Sequence, residues 1–206
     1  MIAFAVLLFA CYPQTMSDLL QLLGIRNRAR PLSVHAWHEL IAKGLAPKRA
    51  ELLEGVIVEK MSKSILHTRL LSRTMDALRR VLGGGWWLRQ EAPVTTVDSE
   101  PEPDISVVPG PEEAYTSHPT TAHLVVEISV SSVAEDRAMA LLYAAAGVRE
   151  YWLFNAPARE VEVFLRPEGG RYQEHRTVSA ESMLTSSSLP DVSLNLSGLW
   201  EGLPLD

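Results

Sequence analysis

The sequence predicts an α/β or α+β fold, a central β-sheet with helices packed on it. Three observations carry that prediction. Capped stretches with apolar residues at helical spacing lie at the front of the chain and between its apolar runs, and short β-branched runs bounded by turn residues fill the middle. A pair of alternating segments across a double glycine follows them, and this order of elements makes a sheet with helices on its faces. Hydrophobic residues make up 47% and charged residues 21% of 206 residues, an ordinary globular composition of a length that suits one domain. We read residues 31–200 as that domain, 1–30 as an N-terminal extension and 201–206 as a tail. A net charge of -6 argues against a strongly basic nucleic-acid-coating protein and leaves room for a local basic surface.

The longest apolar run, Met1 to Cys11, is too short to span a bilayer and lacks the basic region of a secretory signal, so no membrane attachment is expected. Leu8-Phe9-Ala10-Cys11 fits a lipoprotein box poorly because of Phe9, and Met16 marks an alternative gene start. Cys11 is the single cysteine, which rules out an intrachain disulfide and a cysteine-built zinc site and fits a reducing, cytoplasmic compartment. Ser33 then caps a helix that Gly44 closes, with Val34, Trp37, Ile41 and Leu45 on one face. His35 and His38 stand three residues apart on it, a spacing that suits a metal pair or a solvated one.

Gly55 opens an alternating strand over Val56 to Met61, with Glu51 just ahead of it. A second helix is expected from Ser64 to Leu82, stopped by Gly83-Gly84-Gly85, with Arg69, Arg73, Arg79 and Arg80 on its polar side. Trp86 to Arg89 and Ala92 to Val97 read as extended, and Asp98 to Pro101 as a turn. Pro109 to Thr121, rich in Pro, Glu, Thr and Ser, is an excursion between two central strands, a flap or a connection. Ser131-Ser132 caps a helix through Asp136 to Ala146 that Gly147 ends. Glu150 to Asn155 is a strand, and Val161 to Leu165 pairs with Arg171 to Arg176 as a C-terminal β-hairpin across Gly169-Gly170. The aromatic runs Trp86-Trp87 and Tyr151 to Phe154 suit core or a dimer interface.

Two strands carry acids where propensity would not place them: Asp104 opens Ile105 to Val108, and Glu127 lies near the end of Leu124 to Ser129. Buried carboxylates need a partner, so these are either metal ligands or a solvated strand start and an ion-paired edge residue. Carboxylates converging at strand ends suit a hard cation such as Mg2+, and a water beside such a cation can attack a phosphodiester.

The order of Glu51-Leu52-Leu53-Glu54-Gly55, His67, Pro101-Glu102-Pro103-Asp104, Val125-Val126-Glu127-Ile128-Ser129 and Tyr143 to Trp152 resembles the restriction-endonuclease family called Uma-two-like, or domain of unknown function 820, within the PD-(D/E)XK nucleases. The resemblance covers Pro31 to Leu199. It implies a restriction-endonuclease-like core with a mixed central sheet flanked by helices, and a Mg2+-dependent, or Mn2+-dependent, endonuclease acting on DNA as a homodimer. It also implies that Asp104 and Glu127 bind the metal, that Glu51 is the acid near the first strand, and that His67 is the family's recurrent histidine.

The chain departs from that pattern at the lysine. Position 129 holds Ser129, and the place in the following helix to which the family commonly moves the lysine holds Ala140. Arg137, Lys60 and Lys63 are the candidate substitutes, although a guanidinium is a poor general base. Two other readings stand beside the nuclease: a catalytically inactive nuclease-fold module that binds DNA or protein, and a small-molecule α/β protein whose acids are structural.

Overall fold

The sheet at the centre of the molecule is built around its two most apolar strands. The computed structural model describes residues 28–189 and 191–203; the readings made for Met1 to Cys11 and Met16, and the end of the tail, lie outside them. The elements run α1 (Val34–Ala42), β1 (Ala50–Leu53), β2 (Val56–Glu59), α2 (Ile65–Val81), β3 (Trp86–Gln90), β4 (Ile105–Pro109), a 3-10 turn (Glu112–Ala114) and β5 (Leu124–Ser129). Then follow α3 (Val133–Ala145), β6 (Glu150–Asn155), β7 (Glu160–Glu168), β8 (Arg171–Ser179), β9 (Met183–Thr185), β10 (Ser193–Asn195) and α4 (Leu196–Trp200).

Six strands form a mixed sheet in the order β3-β4-β5-β6-β7-β8. All neighbours are antiparallel except β5 and β6, which run parallel and are joined by α3. Their sequences, Leu-Val-Val-Glu-Ile-Ser and Glu-Tyr-Trp-Leu-Phe-Asn, are apolar at nearly every position because both faces are covered. On one face, Leu70 and Leu78 of α2 pack with Ile105, Val126, Trp152 and Val161. On the other, Tyr143 of α3 packs with Val125, Tyr151 and Leu153.

The second helix forms because Leu66, Leu70, Leu71, Met75 and Leu78 share one face and the Ser64 hydroxyl accepts the His67 N–H at 3.1 Å. Arg73 on that helix donates to Leu199 O at 2.9 Å and Glu201 O at 2.6 Å, so it ties α2 to the C-terminal turn instead of facing solvent alone. The β1–β2 hairpin turns through Glu54 and Gly55, both at positive φ (47° and 74°), and the β7–β8 hairpin through Gly169 and Gly170 (59° and 74°). Two consecutive residues in that region favour glycine and match the twist of the flanking strands.

Several expectations are corrected. Ala92 to Val97, read as extended, joins no sheet; Pro93 has no N–H to give a ladder, and Val94 and Thr95 bond instead to Pro101 O and Pro119 O. Glu51 lies within β1 rather than ahead of the first strand. Ile41 and Leu45 are exposed, and the inner face of α1 is Trp37 with Leu40 against Ala50 and Leu52. His35 and His38 do not act together: His35 faces Glu39 and His38 reaches Glu100. The Pro109–Thr121 excursion is tied down by the Tyr115 hydroxyl on Pro109 O at 2.7 Å and the Trp87–Tyr115 ring contact.

Glu150 is fully buried, and its carboxylate accepts Trp152 Nε1–H at 2.7 Å, the Ser186 hydroxyl at 2.6 Å and the Ser187 and Ser188 N–H groups at 2.9 Å each. It thereby fastens the loop after β9 to the central sheet. Glu150→Ala strands these donors inside the protein, so it is expected to cost about 3 kcal/mol or more and lower the urea midpoint without changing the acids described next. An unchanged midpoint contradicts this role.

Candidate active site

The register of β4 on β5 builds the site. Ile105 pairs with Val126, so the next pair outward sets Asp104 against Glu127. The two residues clamp each other: Asp104 N–H donates to Glu127 Oε2 at 3.1 Å, and Ile128 N–H donates to Asp104 Oδ2 at 2.7 Å. Alternation along β5 sends Val126 and Ile128 to the α2 face and Glu127 to the α3 face, where the Tyr143 hydroxyl donates to Glu127 Oε1 at 2.7 Å. Burial, then the charges of Asp104 and Asp136, push the Glu127 carboxyl well above its ordinary range.

Asp136, in the first turn of α3 four residues before Ala140, is a further neighbour. Ser132 Oγ donates to its Oδ2 at 2.6 Å, and burial leads its upward shift, with Asp104 adding to it. Glu51 is raised mainly by burial. It accepts Glu102 N–H at 3.0 Å and lies 3.8 Å from Lys60 Nζ, so it joins the cluster through Glu102 rather than by touching Asp104 or Glu127.

Two nitrogen-bearing side chains converge on Asp104. His67, in the first turn of α2, sits with Nε2 at 2.9 Å from Oδ2. Its Nδ1 is buried without a partner. Lys63, in the segment between β2 and α2, places Nζ at 2.6 Å from Oδ1 and also bonds Glu91, which stands at positive φ (46°) after β3. Burial works to raise the Asp104 carboxyl, but the His67 hydrogen bond and the charges of His67 and Lys63 outweigh it and leave it below its ordinary value. Burial likewise opposes the charge on Lys63, and Asp104 and Glu91 outweigh it and raise its ammonium.

Of the other candidate cations, Lys60 binds Glu102 through its carboxylate and its carbonyl, both at 3.1 Å. Arg137 does not reach the acids: it forks onto Glu162 of β7 at 2.8 and 2.5 Å. Its position one residue after Asp136 turns it away from that residue's side of the helix. Among the described residues no three His, Cys, Asp or Glu side chains are gathered at metal-ligand spacing.

The same segments carry a family signature. A family model described as Uma2, putative restriction endonuclease, matches residues 38–197. The chain belongs to the Uma2 family. The fold of this Uma2 protein also matches the crystal structure of a putative nuclease belonging to DUF820 from Anabaena variabilis, with a TM-score of 0.70 at 20% identity, over 84% of this chain and 100% of that one. No curated protein matches the chain. No helix of the described residues is long and apolar enough to cross a membrane.

Proposed function

We propose that this Uma2 protein is a divalent-metal-dependent DNA endonuclease that hydrolyses phosphodiester bonds, with Asp104 and Glu127 as the metal ligands. The observation that carries the reading is the Asp104–Glu127 clamp with the Lys63 ammonium on Asp104 Oδ1. The donor set fits a hard cation: Asp104 and Glu127 offer oxygen donors only, and burial, with neighbouring carboxylates adding to it, raises Glu127 and Asp136. Mg2+, or Mn2+, characteristically takes one or two carboxylates and fills its remaining positions with water and substrate phosphate, which suits a site without a third gathered ligand.

When bound, such an ion lowers the pKa of a coordinated water and neutralises charge building on the phosphate. The chain's own residues do the rest. Asp104 and Glu127 fix each other's orientation through the backbone bonds between β4 and β5. Lys63 supplies the positive charge that Ser129 and Ala140 do not, from the segment between β2 and α2. His67 holds Asp104 Oδ2 through its Nε2. Action in the cytoplasm as a two-fold homodimer, which brings one site to each strand, belongs to this reading.

Supercoiled plasmid incubated with Mg2+ or Mn2+ tests it. Nicking by the wild type that EDTA and Asp104→Ala/Glu127→Ala both remove is the expected result. One observation favours the catalytically inactive module instead, since both oxygens of Asp104 already carry protein donors. Intact plasmid in every lane, with DNA still bound, supports that reading and overturns the nuclease.

A further inference from the structure

The two acids of the site are held differently. Lys63, His67 and the Ile128 N–H all bond the Asp104 carboxylate. Glu127 has two donors among the described residues, the Asp104 N–H on Oε2 at 3.1 Å and the Tyr143 hydroxyl on Oε1 at 2.7 Å. The last torsion of a glutamate is broad, so a single donor lets the carboxylate plane swing, whereas a donor on each oxygen sets it. The first of these donors is backbone of the segment entering β4. The second is a side chain of α3.

Asp136, Ala140 and Tyr143 follow one another at four and three residues, so they share one face of α3. Asp136 is itself an acid, with the Ser132 hydroxyl on its Oδ2, and the alanine side chain has no polar atom, so the tyrosine is the donor that this face offers Glu127. Its ring is wedged from behind. Tyr143 is fully buried, with its ring centroid 5.1 Å from that of Tyr151, which stacks in turn on Phe164 at 5.4 Å. The Tyr151 hydroxyl donates to Asp136 O at 2.7 Å, which ties the wedge to the first turn of the same helix. A close-packed ring leaves the hydroxyl little freedom to move.

We infer that Tyr143 is a positioning residue of the metal site, its hydroxyl holding the plane of the Glu127 carboxylate in the orientation that binds the ion. The inference rests on the reading above of Asp104 and Glu127 as metal ligands. A carboxylate oxygen has room for two partners, so one donor on each leaves both oxygens able to take an ion. Mg2+ demands near-ideal octahedral geometry, and a ligand free to swing meets it poorly. Outer partners of ligating carboxylates are typically worth about 10- to 100-fold in metal affinity or activity.

The test is calorimetric titration of Mn2+ into the wild type, Tyr143→Phe and Tyr172→Phe, with plasmid cleavage measured beside it. Tyr143→Phe keeps the ring and its contact with Tyr151 and removes only the hydroxyl. Tyr172→Phe is the matched control, since it removes a hydroxyl that donates to Val148 O at 2.8 Å, beyond the C-terminal end of α3. Tyr143→Phe is expected to weaken Mn2+ binding about ten-fold and to lower kcat with the KM for DNA unchanged, while the control keeps the wild-type values. A Tyr143→Phe protein that melts lower yet binds Mn2+ as the wild type does has lost only packing, and that result overturns the inference while the nuclease reading stands. Equal loss of Mn2+ affinity in both variants overturns it too. A wild type that binds no Mn2+ overturns the nuclease reading and this inference together.

Discussion

Glu127→Gln is expected to abolish cleavage and at the same time to make the protein melt at a higher temperature. The carboxylate is placed where its charge is costly: burial and the charges of Asp104 and Asp136 all disfavour ionisation. A group whose folded-state pKa is raised contributes stability below its unfolded value and loses it as pH rises through the folded value. The wild type therefore loses stability relative to the variant as pH climbs from about 4 upward. Glutamine keeps an oxygen for the Tyr143 hydroxyl or the Asp104 N–H and carries no charge. A gain of about 1 kcal/mol corresponds to about 2–4 °C in a protein of this size, and the gain should widen between pH 5 and pH 8 in thermal melts. Cleavage should fall by at least about 10²- to 10³-fold. A variant that melts lower than wild type at pH 8 contradicts the charge strain assigned to Glu127. Such a site, held against its own stability, is a familiar cost of function.

Lys63→Met is the second large effect. The ammonium touches Asp104 Oδ1 and Glu91 together, and no other cation among the described residues reaches Oδ1. Methionine matches much of the stem and removes the charge, so single-turnover cleavage should drop about 10²- to 10³-fold while metal titrates as before or more tightly. The gain in metal affinity follows because Oδ1 is released. Loss of cleavage with equal loss of metal binding contradicts the role given to Lys63, and so does cleavage at the wild-type rate. Lys63→Arg keeps a charge on a broader, planar head and should restore only part of the rate.

What could be read from the sequence was what local pattern decides. The α2 helix was legible from its Ser64 cap and the apolar spacing of Leu66 to Leu78, and β5 and β6 from apolar runs that only a strand covered on both faces would carry. The β7–β8 hairpin was legible from Gly169-Gly170. Asp104 and Glu127 stood out as acids in apolar strands, and the structure sets them against each other through the β4–β5 register.

What escaped was non-local. The Lys63–Asp104 contact joins residues 41 apart; the sequence named Lys63 only as one of three candidate cations, because nothing in the Lys60 to Ser64 stretch distinguishes a lysine that turns inward from one in water. Arg137 was drawn to the site because it shares the helix that carries Ala140 at the expected lysine position, whereas Glu162, 25 residues on, claims its fork. Glu91 went unread, since its role depends on a positive φ that no propensity announces. The short β9, β10 and α4 elements went unread because three- and five-residue pieces carry too little periodicity.

Calorimetric titration of Mn2+ into the wild type and into Asp104→Ala/Glu127→Ala tests the central claim most directly. The account predicts saturable binding to the wild type that the double variant loses while keeping a cooperative melt. A wild type that binds no metal, or a double variant that binds it equally well, contradicts the assignment of Asp104 and Glu127 as the ligands of a nuclease site.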